Sequence, residues 1–201
     1  TPVPEPVEMM HLYSPDGKTD VCIYSDEEGG WYYSVIDGEQ DVIKKSRIGM
    51  VMQEGNLFKG LHLVDGSVTN RESYELFTGY NTVMENHCNE TTFVLANEAG
   101  SFCFELRVHD DGVAYRYTDV TAGDNETVTV LDEKSEIALP KDCTSWAFGL
   151  NGTYEGIYEK RNHNQLRDLA QKLCTPMLVK NGDYWMLLTE AAALNNNGEY
   201  C

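Results

Sequence analysis

Between Ser101 and Thr118 the chain alternates with a period of two, and this limits its folding options more than any other feature. Phe102, Phe104, Leu106 and Val108 alternate with Cys103, Glu105, Arg107 and His109. After His109-Asp-Asp-Gly112, Val113, Tyr115 and Tyr117 alternate with Ala114, Arg116 and Thr118. In a β-strand, successive side chains point to opposite faces, so each run puts one face on a core and the other toward water. Asp-Gly is a turn-forming dipeptide, and the pattern predicts a hairpin over Ser101–Thr118.

Similar short runs recur along the chain. They predict strands at Asp20–Tyr24, Trp31–Ile36, Ile48–Met52, Ser73–Phe77, Asn81–Asn86, Thr92–Ala96, Thr127–Leu131, Glu136–Leu139, Ser145–Phe148, Met177–Val179 and Tyr184–Thr189. Turn signals separate them at Pro15-Asp-Gly17, Gly29-Gly30, Asp37-Gly38, Asp65-Gly66, Asn97–Gly100, Gly123-Asp124 and Asn181-Gly182. Many short, evenly spaced strands predict an all-β antiparallel sandwich or barrel, not a βαβ fold. One segment has helical spacing. Leu166, Leu169 and Leu173 recur at three- and four-residue intervals, which predicts a single short helix or helical turn. The alternating prolines of Thr1-Pro-Val-Pro-Glu-Pro6 forbid ladder donors, so residues 1–10 are expected to be an extended tether ahead of one sandwich domain over 11–201.

Composition excludes several function classes. Hydrophobic residues make up 41%, ample for a core, and no apolar run reaches the ~18 residues a spanning helix needs. The formal charge of −18 repels phosphate backbones and anionic lipid, so neither nucleic acid nor a membrane surface is an expected partner. None of the six cysteines forms a CxxC pair, so zinc sites of common spacing are unsupported and any disulfide pairing is left open. Five scattered histidines, His11, His62, His87, His109 and His163, include no close pair in sequence. Phosphate-binding glycine loops, the GxSxG elbow, HExxH and EF-hand loops are absent from the sequence. The 33 acidic residues are too many for a catalytic pair to be picked from spacing.

Several ordered stretches resemble family 97 of the glycoside hydrolases. They are Ser14-Pro-Asp-Gly-Lys18, Trp31-Tyr-Tyr-Ser-Val35, Ser46-Arg-Ile-Gly49, Asn86-His-Cys-Asn-Glu90, Ala138-Leu-Pro140, Thr175-Pro-Met177 and Trp185-Met-Leu-Leu-Thr-Glu-Ala-Ala192. The hairpin Glu105–Tyr117 is the most diagnostic of them. The resemblance implies the N-terminal β-super-sandwich of such an enzyme, of the galactose mutarotase-like type. In the family this domain packs on a catalytic (β/α)8 barrel that carries the acid and the base or nucleophile. Members are calcium-dependent, exo-acting α-glycosidases that cleave α-linked oligosaccharides, and exported, for instance to the periplasm. No catalytic residue is therefore expected in this chain, and the choice between glucoside and galactoside would lie elsewhere in the enzyme. The resemblance aligns Glu190 with a glutamate that helps bind Ca²⁺ at the barrel mouth. One carboxylate cannot hold Ca²⁺ tightly, because the ion takes about six to eight oxygens. An alternative is a stand-alone carbohydrate-binding sandwich with Trp31, Tyr32 and Tyr33 as a sugar platform. Against it, these aromatics would more simply fill the core. A mutarotase-like enzyme would need a histidine and a glutamate in a cleft, and the sequence marks no such pair.

Overall fold

The expected hairpin forms, with Gly100–His109 paired to Val113–Thr121 and the His109 amide donating to the Gly112 carbonyl at 2.8 Å. The structure, a computed structural model, describes residues 6–71, 74–75, 83–84, 87–123, 125, 127–151 and 155–190. Contacts divide the chain into two units, residues 1–138 and 139–201, with no linker composition in the sequence to mark the break. Among the described residues, nearly all regular structure is antiparallel sheet with one short helix, the all-β sandwich class expected from the alternation.

The larger unit contains β1 (Val7–Tyr13), β2 (Thr19–Ser25), β3 (Trp31–Asp37), β4 (Gln40–Ile48), β5 (Met50–Met52), β6 (Gly55–Leu57), β7 (His62–Arg71), β8 (Tyr74–Glu75), β9 (Val83–Met84), β10 (Cys88–Asn97), β11 (Gly100–His109), β12 (Val113–Thr121) and β13 (Val130–Glu133). Two four-stranded sheets, ordered β1-β2-β3-β4 and β12-β11-β10-β7, enclose its core. Trp31 meets Phe93 at 6.3 Å between ring centroids, and Tyr33 meets Tyr115 at 5.7 Å, which locks one sheet to the other. Phe102, Phe104, Leu106 and Val108 are fully buried along β11, as the alternation requires. Glu90 is buried beside Arg107, which donates to it from the neighbouring strand, so the charge is paired where it is desolvated.

Several expectations are corrected. Val7–Met10 form the first half of β1 and are no tether, because beyond Pro6 each residue again has an N–H to offer the β2 edge. The strand expected at Ile48–Met52 breaks at Gly49. Its φ of 146° turns the chain, and a Cβ there would stand 2.5 Å from the Leu57 carbonyl oxygen. Asp65-Gly66 is no turn; it lies inside β7, where a register shift between Val94 and Leu95 accommodates the extra residue. Glu136–Leu139 forms only an isolated bridge, between Lys44 and Ala138. Of Ser73–Phe77 and Asn81–Asn86, Tyr74–Glu75 pairs with Val83–Met84, and the rest lies outside the described residues.

The smaller unit is one sheet, β15-β14-β16-β17, built from β14 (Thr144–Ala147), β15 (Glu159–Asn162), β16 (Met177–Asn181) and β17 (Tyr184–Leu188). Helix α1 (His163–Arg167) follows β15 as little more than one turn. Its capping box satisfies two amides at the N-terminus: Gln165 N donates to Asn162 Oδ1 at 3.0 Å, and Asn162 N donates to Gln165 Oε1 at 2.9 Å. Leu169 and Leu173 lie beyond the helix, and Leu173 bridges to Gly149.

Candidate functional site

In the smaller unit, cross-strand register sorts the side chains cleanly between two faces. Ser145, Ala147, Val179 and Arg161 point to the buried face. Arg161 Nη1 donates to the Ala147 carbonyl at 2.9 Å and Nη2 to Glu159 Oε2 at 2.7 Å, which makes the buried guanidinium a brace across β14 and β15. The opposite face presents Lys160, Trp146, Leu178, Lys180, Trp185 and Leu187. Trp146 and Trp185 stack at 5.4 Å across the intervening strand. Lys160 covers Trp146 at 5.6 Å and Lys180 covers Trp185 at 5.1 Å. These side chains, with Asp142, Thr144 and Gly182, line an open groove of about 440 Å³.

Glu190 lies at the other end of the β16–β17 hairpin, two residues beyond β17. It is exposed, and its Oε1 accepts from Thr175 Oγ1 at 3.2 Å. The pairing of Met177 with Leu188 brings these two side chains together, since each lies two residues outside that last pair. Between the Trp185 and Leu188 rows lie three steps of strand, about 10 Å, so Glu190 and the tryptophan groove are separate features of one sheet.

The structure removes Trp31, Tyr32 and Tyr33 as a sugar platform. Trp31 and Tyr33 are 4% exposed and sit in the core. Tyr33 donates its hydroxyl to the Glu136 carbonyl at 3.0 Å, and burial pushes its phenol well above the ordinary tyrosine range. Tyr32 donates to Asp26 Oδ2 at 2.8 Å while Arg47 lies over its ring. The tryptophan pair was invisible to sequence reasoning, because Trp146 and Trp185 are far apart in the chain and meet only through the β14-β16-β17 order.

Residues 12–200 match the family model described as the glycosyl-hydrolase 97 N-terminal region. The chain belongs to that family. A probable retaining alpha-galactosidase from Streptomyces bingchenggensis (strain BCW-1) is 31% identical over 141 residues, which is 68% of this chain and 20% of that protein. A beta-arabinopyranosidase crystal structure superposes with a TM-score of 0.77 at 25% identity, covering 89% of this chain and 31% of that one. A glycoside hydrolase family 97 enzyme from Pseudoalteromonas sp. strain K8, solved with panose, gives a TM-score of 0.73 at 25% identity. There the superposition covers 87% of this chain and 27% of the enzyme. The chain thus spans about a fifth of the curated relative and under a third of these two solved chains.

For this family 97 N-terminal domain, Ca²⁺ is the ion its resemblance implies, and the donor chemistry at Glu190 can be tested against it. A carboxylate and a hydroxyl, Glu190 and Thr175, are hard oxygen donors of the kind Ca²⁺ prefers. They supply one charge and a minority of the roughly six to eight oxygens, so they fit as part of a shared shell and not as a complete site.

Proposed function

We propose that this chain is the non-catalytic N-terminal domain of a calcium-dependent, exo-acting α-glycosidase, packing on the catalytic barrel and shaping its active site. The family match over residues 12–200 carries this reading. It is supported by the exposure of Glu190 at the end of the last described strand, where its carboxylate can be shared with a second domain. In the intact enzyme Glu190 contributes one ligand, Thr175 steadies it, and barrel groups complete the shell. The substrate is an α-linked oligosaccharide. The reading includes export from the cytoplasm, checked by fractionating cells that carry the natural gene.

The test compares the chain alone with the full-length enzyme on p-nitrophenyl α-glucoside and α-galactoside with added calcium. The chain alone is expected to show no turnover and no saturable Ca²⁺ binding below millimolar concentrations. In the full-length enzyme, Glu190→Gln is expected to weaken Ca²⁺ at least about tenfold and lower kcat/KM in step. Robust turnover by the chain alone overturns the proposal.

A second reading, carbohydrate binding by the domain itself, draws on the exposed groove beside Trp146 and Trp185. Against it, the two rings stack on one another and a lysine lies over each, which leaves chiefly their edges for a sugar. Calorimetry with maltooligosaccharides decides it: saturable heat lost in Trp185→Ala supports the second reading.

A further inference from the structure

The β1–β2 hairpin gathers metal-ligating groups that the sequence scatters. His11 stands opposite Cys22 in the register, so their side chains share one face. Glu8 is three residues before His11 and in a regular strand would point the other way. A bulge between Glu8 and Met10 changes the parity and returns Glu8 to the face of His11 and Cys22. The three ligating atoms lie within 4.8 Å of one another. His11 Nε2 is 3.7 Å from Cys22 Sγ and 3.7 Å from Glu8 Oε2. In a tetrahedral zinc site, bonds of about 2.3 Å to sulfur and about 2.0 Å to nitrogen and oxygen put ligand atoms about 3.3–3.6 Å apart. The two His11 edges are a few tenths of an ångström from this range, and the Glu8–Cys22 edge, within 4.8 Å, closes by rotation of the exposed Glu8 side chain.

Behind the imidazole stands Asp20. Its Oδ1 and Oδ2 lie 3.0 and 2.9 Å from His11 Nδ1. A proton on Nδ1, held by this carboxylate, leaves the Nε2 lone pair directed at the Cys22 and Glu8 side. This is the carboxylate–imidazole arrangement that orients metal-bound histidines. Tyr13 stacks on the ring at 6.0 Å and adds a second constraint. Cys22 is 3% exposed and forms the floor, whereas Glu8 and His11 reach solvent, so a cation can enter from outside. Lys45, lying over the Tyr24 ring next along this face, is a positive charge that acts on Cys22.

We propose that Glu8, His11 and Cys22 form a binding site for a borderline-soft divalent cation of the zinc class, with Asp20 positioning His11 and one coordination place left open to solvent. Sulfur and imidazole donors select against Ca²⁺ and Mg²⁺, so the site is independent of the calcium reading for Glu190. On binding, the Sγ–metal bond forms and the thiol proton passes to solvent.

The test is titration of the full 201-residue chain, reduced and metal-free, with Co²⁺ as a spectroscopic stand-in for Zn²⁺. A thiolate-to-cobalt charge-transfer band and intense visible bands of tetrahedral cobalt are expected, at one equivalent, and Zn²⁺ should abolish both. Cys22→Ser should eliminate the charge-transfer band while the other cysteines remain. His11→Ala should weaken zinc at least about tenfold, and Asp20→Asn, which keeps every ligand, by about tenfold or more. Circular dichroism of each variant shows whether it folds, and the wild-type band needs no variant. A missing charge-transfer band in the wild type overturns the site, as does the same band in folded Cys22→Ser or displacement of cobalt by equimolar Ca²⁺. None of these results bears on Glu190, which the calcium titration addresses separately.

Discussion

The two units solve the burial problem differently. The larger one encloses aromatic and branched side chains between two four-stranded sheets, with Phe102, Phe104, Leu95, Leu106 and Ile23 all fully buried. The smaller one has a single four-stranded sheet, and its buried residues are mainly small, Ala147, Ser145, Cys143 and Cys174, with Val179, Phe148 and the brace Arg161. Its other face shows Trp185 and Leu187 half-exposed. A sheet needs one covered apolar face to be stable, and here Trp185 and Leu187 are on the side open to solvent. The larger unit therefore has the core of an independent scaffold, and the smaller one presents surface.

The largest expected effect tests the core of the larger unit. Phe104→Ala removes a ring packed at 5.3 and 5.4 Å against Tyr115 and Tyr117, and should cost about 3–5 kcal/mol in urea unfolding. Val179→Ala in the smaller unit should cost only about 2 kcal/mol, for two methyl groups and a small cavity. Equal losses would erase the contrast between the units. Next comes Arg161→Ala, which strips a donor from the Ala147 carbonyl in the buried face. A loss of about 1–3 kcal/mol is expected, with faster amide exchange in β14 and little rescue by lysine, which lacks the fork.

Trp185→Ala should be milder, about 0.5–1.5 kcal/mol in the chain alone, because it removes a stack that is half open to water. A loss above about 3 kcal/mol would make Trp185 a core residue and overturn the view of this face as surface. The smallest effect concerns the turn between β1 and β2. Lys18 and Ser14 bond to Asp16 and hold its carboxyl well below the ordinary range. A lowered folded pKa stabilises above the ordinary aspartate range and is lost as pH falls toward the folded value. The Tm difference between wild type and Asp16→Asn should thus be small near neutrality and vanish in strong acid. Because Asp16 is charged and exposed, added salt should shrink it as well.

Much of the fold was legible wherever one face meets a core and the other meets water. The β11–β12 hairpin, β2, β3, β14 and β17 follow from alternation, and the resemblance named the family that the match over residues 12–200 bears out. Strand β4 was missed because its buried Val42 and Ile43 are adjacent and Lys44-Lys45 follow, a pattern that irregular pairing with β3 permits. Strand β7 was missed because Asp65-Gly66 signals a turn locally, while a long ladder to β10 holds it extended. The cluster Glu8, His11 and Cys22 carried no signal at all, since it depends on a hairpin register and a one-residue bulge.

The sequence by itself determined the class, antiparallel sheets with polar and apolar faces, because side-chain direction along a strand is a local property of the backbone. It also determined the acidic surface and the family. Tertiary structure decided which strands meet, that Trp31 and Tyr33 go inside, that Trp146 finds Trp185, and that His11 faces Cys22. These are contacts between residues distant in the chain, fixed by register and bulges, and a shift of one residue in pairing would reverse every one of them.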